Sequence, residues 1–319
     1  MTPSEFFTSI SPLFPGKDSV THVTLLAGVA ALLLTPAEYL APAHSQPLLL
    51  RKGLYIDAIY WFMTPLLTRC VTGAILAVIL LLGAVCIGFE NIPDEFLVRG
   101  FGPLSRQPLW LQCFEILLLS DLIDYWTHRT LHRGSLWRIH AIHHSPQEMN
   151  WISSSRVHPL NDLITRSCQL LPILLLGFSA ASIISVVPLV AFYVMFLHAN
   201  LKWDFGPFRW ILVSPAYHRW HHASDEEGID KNFAGIFPIW DVLFGTAYFP
   251  RTLPTKYGLC GPQMPESLIA HLLFPFRRAA AEAPPAPIPE NERVAKEHRE
   301  CRAPSRCEDV LVPERRNSR

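Results

Sequence analysis

Three histidine clusters constrain this chain more than any other feature. The first is His128-Arg-Thr-Leu-His132. Seven residues later comes His140-Ala-Ile-His143-His144, and far downstream His218-Arg-Trp-His221-His222 repeats that triplet pattern. On a helix, residues i, i+3 and i+4 share a face, so each cluster presents its imidazoles together. Neutral imidazole is the commonest side-chain ligand of transition metals. Eight imidazoles are too many for one ion, and four to six ligands per ion imply two metals in one site. Burying so many rings without a metal or hydrogen-bond partners would be costly. The fold must therefore bring segments from distant parts of the chain to one place.

The rest of the sequence reads as a membrane mount for these clusters. Half of the 319 residues are hydrophobic and 17% are charged, with a mean hydropathy of +0.22. That balance favours a polytopic membrane protein over a soluble domain. The formal net charge is zero, and neither a basic excess nor a motif points to nucleic acid. Residues 1–19 lack the features of a cleavable signal peptide. Val20–Ala37 is a first candidate span, near the lower length limit. Cys70–Phe89 is charge-free and the clearest span. Tyr55–Leu67 contains Asp57 and is read as interfacial, or as the lead into that span.

Ser167–Leu201 is charge-free over thirty-five residues. One straight helix of that length would measure about 52 Å against a hydrocarbon core of about 30 Å. A helical hairpin is expected instead, turning at Gly177-Phe178-Ser179 unless Pro188 shifts the turn. Its two passes return the chain to its starting side, which brings His218–His222 beside His128–His144. His198, near the end of the hairpin, is costly there unless paired or ligating. It is read as a ninth ligand, with Asn200 as a helper.

The ordered clusters and their flanks resemble the fatty acid hydroxylase and sterol desaturase superfamily of membrane di-metal oxygenases. The matching flanks include Asp124-Tyr-Trp-Thr-His128, Leu136-Trp137, His144-Ser-Pro, Met149-Asn150, Arg156-Val-His158-Pro159, Ser214-Pro-Ala-Tyr-His218 and Trp240-Asp-Val-Leu-Phe-Gly-Thr246. The resemblance covers about Asp121–Tyr248. It favours Leu109–Ile123 as a third span delivering its end to the metal site, although the segment carries Glu115 and Asp121. Asp121 and Asp124 precede His128 by about two turns and one turn. Either is placed to orient a ligand by accepting its second ring N–H, and a solvated helix end is the plain alternative. The resemblance allows His158 to be a ligand or a support for one. It also makes the region after His222 a cytosolic cap, in which Asp230 and Asp241 orient ligands or sit in salt bridges.

The expected fold is an all-α, polytopic membrane helical bundle with a cytosolic, histidine-rich di-metal cap. Its parts are a membrane-spanning region (1–120), a di-metal catalytic domain with the hairpin inside it (121–250), a cap extension (251–278) and a disordered tail (279–319). Loop charges at Arg51, Lys52 and Arg69 place the histidine clusters on the cytoplasmic face. Trp137, Trp151, Trp203, Trp210 and Trp220 suit the membrane interface or a substrate channel. Cys70, Cys86, Cys113 and Cys168 read as small core residues, with no disulfide framework.

The metal set expected is His128, His132, His140, His143, His144, His198, His218, His221 and His222. No residue is assigned as a general base. Iron fits imidazole, and no thiol belongs to the motifs. The resemblance then implies two iron ions and O2 as co-substrate. The reaction would be hydroxylation or desaturation of a lipid C–H bond, with zinc able to replace iron in preparations. The chain has no flavin, haem or iron–sulfur motif, so an external donor is expected, a cytochrome b5-like protein or a ferredoxin with its reductase. Two other readings compete. A membrane metal-binding or transport protein would need ionisable groups near the midplane, whereas these clusters lie at span ends. A zinc hydrolase needs an open position for water, which saturation by imidazoles leaves scarce.

Overall fold

The computed structural model describes residues 17–47, 51–88, 96–261 and 263–277; the expected tail at 279–319 lies outside them. Helices α1 (Lys17–Leu40), α2 (Leu54–Ile87), α3 (Leu109–Leu131), α5 (Pro159–Leu175) and α6 (Ala180–His198) are the long elements. Short helices α4 (Trp137–His140), α7 (Pro215–His221), α8 (Ile239–Leu243) and α9 (Leu268–Leu273) lie between or after them. No strand occurs among the described residues, only isolated bridges such as Pro42 with Leu201.

The hairpin turns where the charge-free run is too long for one pass. α5 ends at Leu175 and α6 begins at Ala180. Gly177 adopts φ +77°, and a Cβ there would lie 2.3 Å from the Phe101 carbonyl oxygen. The backbone passes that close because the Phe101 N–H donates to the Gly177 carbonyl at 2.9 Å. Ser179 caps α6 by accepting from the Ser182 N–H. Gln112 of α3 pins the same turn, its Oε1 accepting from the Ser179 N–H and from the hydroxyls of Ser179 and Ser182. α3, α5 and α6 pack together, and α2 lies against α5.

The membrane elements differ from expectation in detail. Among the described residues, two helical segments are long and apolar enough to cross a membrane, Leu54–Gly83 and Ala180–His198. Tyr55–Leu67 leads into the second candidate span, one of its two expected readings: Leu54–Ile87 is one continuous helix, with Asp57 neutralised inside the protein. The apolar part of α1 is the shorter Thr24–Leu40. α3 is a helix over the expected third span, but it is a mixed one, burying Gln112 and Asp121 beside Ile116 and Tyr125. Cys70, Cys86 and Cys168 are exposed on their helices rather than in the core. Trp151 and Trp220 are buried, so neither serves a membrane interface.

Asp57, 0% exposed, pairs with both Arg51 and Arg156. Arg156 also donates to the Gly53 carbonyl and the Ser145 hydroxyl. The start of α2 is thereby tied to the segment that follows His144. Removing the carboxylate strands two buried cations. Asp57→Ala is expected to cost about 3–5 kcal/mol, read as a lowered thermal unfolding midpoint in detergent. Asp57→Asn should lose less, because the amide oxygen still accepts a hydrogen bond.

Candidate metal centre

The nine expected histidines converge, in two groups. His128, His132, His140, His144 and His221 form one, and His143, His198, His218 and His222 the other. Within each group the ligand nitrogens all lie within 4.8 Å of one another. The rings of His144 and His222 stack at 4.3 Å between centroids, joining the groups. Each triplet straddles both groups rather than facing one. His140 and His144 go to the five-histidine group while His143 goes to the other. His218 and His222 go to the four-histidine group while His221 crosses over. On α7 the division follows helix geometry, since residues i and i+4 are about 40° apart around the axis and i+3 falls on the other flank.

The local chain geometry follows from capping. α3 delivers His128 in its last turn and His132 at its C-cap. α7 starts from Ser214, whose side chain accepts from the Tyr217 N–H, with Pro215 in its first turn. α4 ends at His140, and His143 and His144 follow in tight turns whose N–H groups donate back to the His140 carbonyl.

Hydrogen bonds fix which ring nitrogen is bare. The Nδ1–H of His128 donates to the Phe233 carbonyl at 2.9 Å, and that of His140 to Asn161 Oδ1 at 2.7 Å. His143 donates to the Arg156 carbonyl, His198 to the Val194 carbonyl and His221 to the Lys231 carbonyl. His132 donates to Asp230 Oδ1 at 3.2 Å. Each of these rings therefore offers Nε2 as a lone pair. Those lone pairs face one another: His128 and His140 Nε2 are 3.0 Å apart, and His143 and His198 Nε2 are 3.2 Å apart. Nε2 of His132, His221 and His222 is buried with no partner. Two nitrogens each about 2.1 Å from one ion, at 90–109°, lie about 3.0–3.4 Å apart. The donor set thus fits a cation in each group.

Charge on the rings is suppressed. Burial, reinforced by neighbouring histidines, holds His140, His143, His144, His218, His221 and His222 well below the ordinary imidazole range. Burial lowers His132 to about 4, against the opposing pull of its hydrogen bond to Asp230. Neutral imidazole is the form that binds metal.

One loop orients three of the five rings in the first group. Asp230, Lys231 and Phe233 accept from His132, His221 and His128. Asp230 and Asn232 both adopt left-handed backbone, φ +55° and +58°, which Asp and Asn tolerate better than most residues. Asn232 is fully buried and locks the loop by donating to the Tyr217 and Tyr248 carbonyls and accepting from the Tyr248 N–H. Sequence reading gave a role to Asp230 but none to Asn232, which it named only as part of the cap, nor to Asn161; the carbonyl acceptors carry no sequence signal at all.

Other expected site residues have different work. His158 caps α5, its Nδ1 accepting from the Leu160 N–H while Nε2 donates to the Leu272 carbonyl; it is in neither group. Asp121 accepts from the N–H groups of Gly235, Ile236 and Phe237 rather than from a ring. Asp124 faces Gln169, because the His128 Nδ1–H is already taken by Phe233. Asn200 holds the backbone of His44 through both side-chain atoms. Asp241 accepts from the N–H groups of Phe233 and Ala234 and from the hydroxyls of Tyr217 and Thr246. Both aspartates shape the loop that carries Phe233, at one remove from the rings. His44, to which no role was given, bonds Tyr257 at 3.0 Å.

Two outcomes follow from this geometry. Asn232→Ala removes three hydrogen bonds and a residue suited to φ > 0. It should weaken metal binding about 10–100-fold, measured by competition with a chelator, while the protein still inserts in membranes. The second concerns pH. His132 titrates at about 4 when folded against 6.5 for an ordinary histidine, so the unfolded chain takes up its proton first. Its contribution, and that of the other lowered rings, is present above pH 6.5 and lost as pH falls. Unfolding midpoints of metal-stripped protein should drop as pH falls from about 6.5 towards 4.

Residues 113–246 match the fatty acid hydroxylase family. An ornithine lipid hydroxylase of Rhizobium tropici is 31% identical over 53% of this chain and 52% of its own. The alkylglycerol monooxygenase of Danio rerio is 35% identical over 44% of this chain and 31% of its own. Methylsterol monooxygenase 1 of Rattus norvegicus is 26% identical over 50% of this chain and 52% of its own. The chain thus spans about half or less of the length of these relatives. No solved structure matches it. The stretch that matches the fatty acid hydroxylase family, residues 113–246, carries all nine clustered histidines.

Proposed function

We propose that the chain is a membrane-bound, di-iron lipid oxygenase that hydroxylates a C–H bond using O2 and an external electron donor. The observation that carries this reading is the pair of buried histidine groups whose bare Nε2 atoms face one another at metal-ligand spacing. Its relatives are named hydroxylase and monooxygenases of lipids, which favours hydroxylation over desaturation. Ornithine lipids, alkylglycerols and methylsterols differ in headgroup and share extended apolar parts, so the class proposed is a bilayer lipid.

Iron held in both groups would supply the one-electron steps that O2 reduction requires. The residues of the chain do the rest. Burial keeps the imidazoles neutral and the centre dry. Carbonyl and amide acceptors hold each ring in one tautomer and one direction. Nine imidazoles divided five and four leave the second group with one ligand fewer, so it is the side with room for an exogenous molecule. In this reading residues 121–250 are the catalytic region, the site faces the cytoplasm, and the donor is a cytochrome b5-like protein or a ferredoxin with its reductase.

The test uses one ligand from each group. Purified protein should hold about two metal ions per chain, and with a donor and lipid it should consume O2 in step with product. His143→Ala and His221→Ala should each abolish oxidation and lower the metal content while membrane insertion persists. Full activity in both variants would refute the ligand assignment. Two bound metals with no O2-dependent product from any lipid class would favour a metal-binding protein instead.

A further inference from the structure

Two apolar segments beside the metal centre are not explained by it. Residues 206–213 (Gly-Pro-Phe-Arg-Trp-Ile-Leu-Val) and 235–244 (Gly-Ile-Phe-Pro-Ile-Trp-Asp-Val-Leu-Phe) contain one charged residue each. Both charges are turned inward: Arg209 bonds Asp204 and the Phe249 carbonyl, and Asp241 is 0% exposed among its hydrogen-bond donors. The outward side chains are apolar. Phe208, Trp210, Ile211, Ile239, Val242 and Leu243 are between 42% and 62% exposed. The segments adjoin, since the Val213 N–H donates to the Ile236 carbonyl at 2.9 Å. Trp126 of α3 extends the surface by packing on Phe244, 4.8 Å between ring centroids.

Their height along the bundle is fixed by two contacts. The Tyr193 hydroxyl donates to the Val213 carbonyl. Tyr193 lies five residues before His198, about 7.5 Å back along α6 from the metal centre. Asp121 holds Gly235, Ile236 and Phe237, seven residues and about 10 Å before His128 on α3. Both segments therefore climb from the histidines along the α3–α6 side of the bundle, to the level of the apolar helix α6. That helix itself exposes Ile184, Val187 and Leu189.

We propose that residues 206–213 and 235–244 form a re-entrant shoulder seated in the bilayer leaflet nearest the metal centre, with lipid acyl chains as its partner. Non-helical backbone is tolerated at membrane depth only where its polar groups are satisfied within the protein. Asp121 and Asp241 do this for five consecutive N–H groups, Phe233 to Phe237. Within the two segments the exposed side chains are aromatic and aliphatic with no outward charge, which suits that environment and is a liability in water. The shoulder would sink the histidine groups towards the headgroup layer, so that a lipid reaches them with little withdrawal from the bilayer. The inference rests on α6 being embedded, not on the metal chemistry.

The test is a set of spin labels in the full chain, with its native cysteines replaced, in phosphatidylcholine nanodiscs. Labels enter as Trp210→Cys and Leu243→Cys on the shoulder, Val187→Cys on α6, and Glu226→Cys on an exposed polar turn. All four positions are solvent- or lipid-facing, so the core is untouched. Relaxation by dissolved oxygen and by a water-soluble nickel chelate reads the surroundings. The expected result is that 210 and 243 behave like 187, with a several-fold higher oxygen-to-nickel ratio than 226. If 210 and 243 behave like 226 while 187 stays lipid-like, the shoulder lies in water and the proposal is overturned with the span intact. If 187 is also water-accessible, the embedding of α6 fails and the proposal fails with it. Protection of 210 and 243 from both reagents, with dipolar broadening between copies, would assign the surface to a second copy of this chain and overturn the lipid assignment.

Discussion

The structure depends on the convergence of nine imidazoles whose bare nitrogens face one another. In each group, imidazoles fixed by Nδ1–H donation present bare Nε2 atoms to one another at about 3 Å. Protonation would supply a bridging hydrogen, but burial disfavours it for these rings. Nine buried rings without a positive charge between them would be a heavy cost. An ion in each group would relieve that cost, and its binding energy would add to folding.

Much of the remaining architecture keeps those rings in place. The Asp57 pair with Arg51 and Arg156 fixes the segment whose carbonyl orients His143. Arg219, fully buried between two ligands on α7, donates to the Met149 and Ala199 carbonyls, tying the segments that follow His144 and His198. Glu38 of α1 accepts from the N–H groups of Trp151 and Asn200, which belong to those same two segments. The five-histidine group relies instead on the Asp230–Phe233 loop, held by Asn232, Asp121 and Asp241. The supports differ between the groups, and α7, which carries rings of both, links them.

The membrane mount and the centre are coupled through length. The charge-free run divides into α5 and α6, and Gly177 allows the close backbone approach at the turn. The return pass ends at His198, which lies in the four-histidine group. α3 ends at His128 and His132 in the other. Two helices of the bundle therefore stop at the metal centre, one feeding each group, and α7 bridges them with ligands to both.

The sequence by itself marked the clustered histidines, because His-x-x-x-His and His-x-x-His-His are spacings of consecutive residues, and it marked His198 through the cost of an unpaired imidazole in an apolar run. It also determined the hairpin, because span length and the absence of charge are local. Which group each ring joins was decided by the tertiary structure: His143 and His221 leave their own triplets for the opposite group, and only the relative placement of α3, α6 and α7 dictates that. The supporting acceptors were equally hidden. Backbone carbonyls at Phe233, Lys231, Arg156 and Val194 look the same in any sequence. Asp121, Asp241 and Asn200 were legible as polar groups near the site, but not as holders of loops, since whether a carboxylate meets a ring or a backbone N–H depends on chain packing far from it. His158 shows the same limit: the flank that marked it as a ligand or a support for one is also a helix cap, and the fold uses it as the cap.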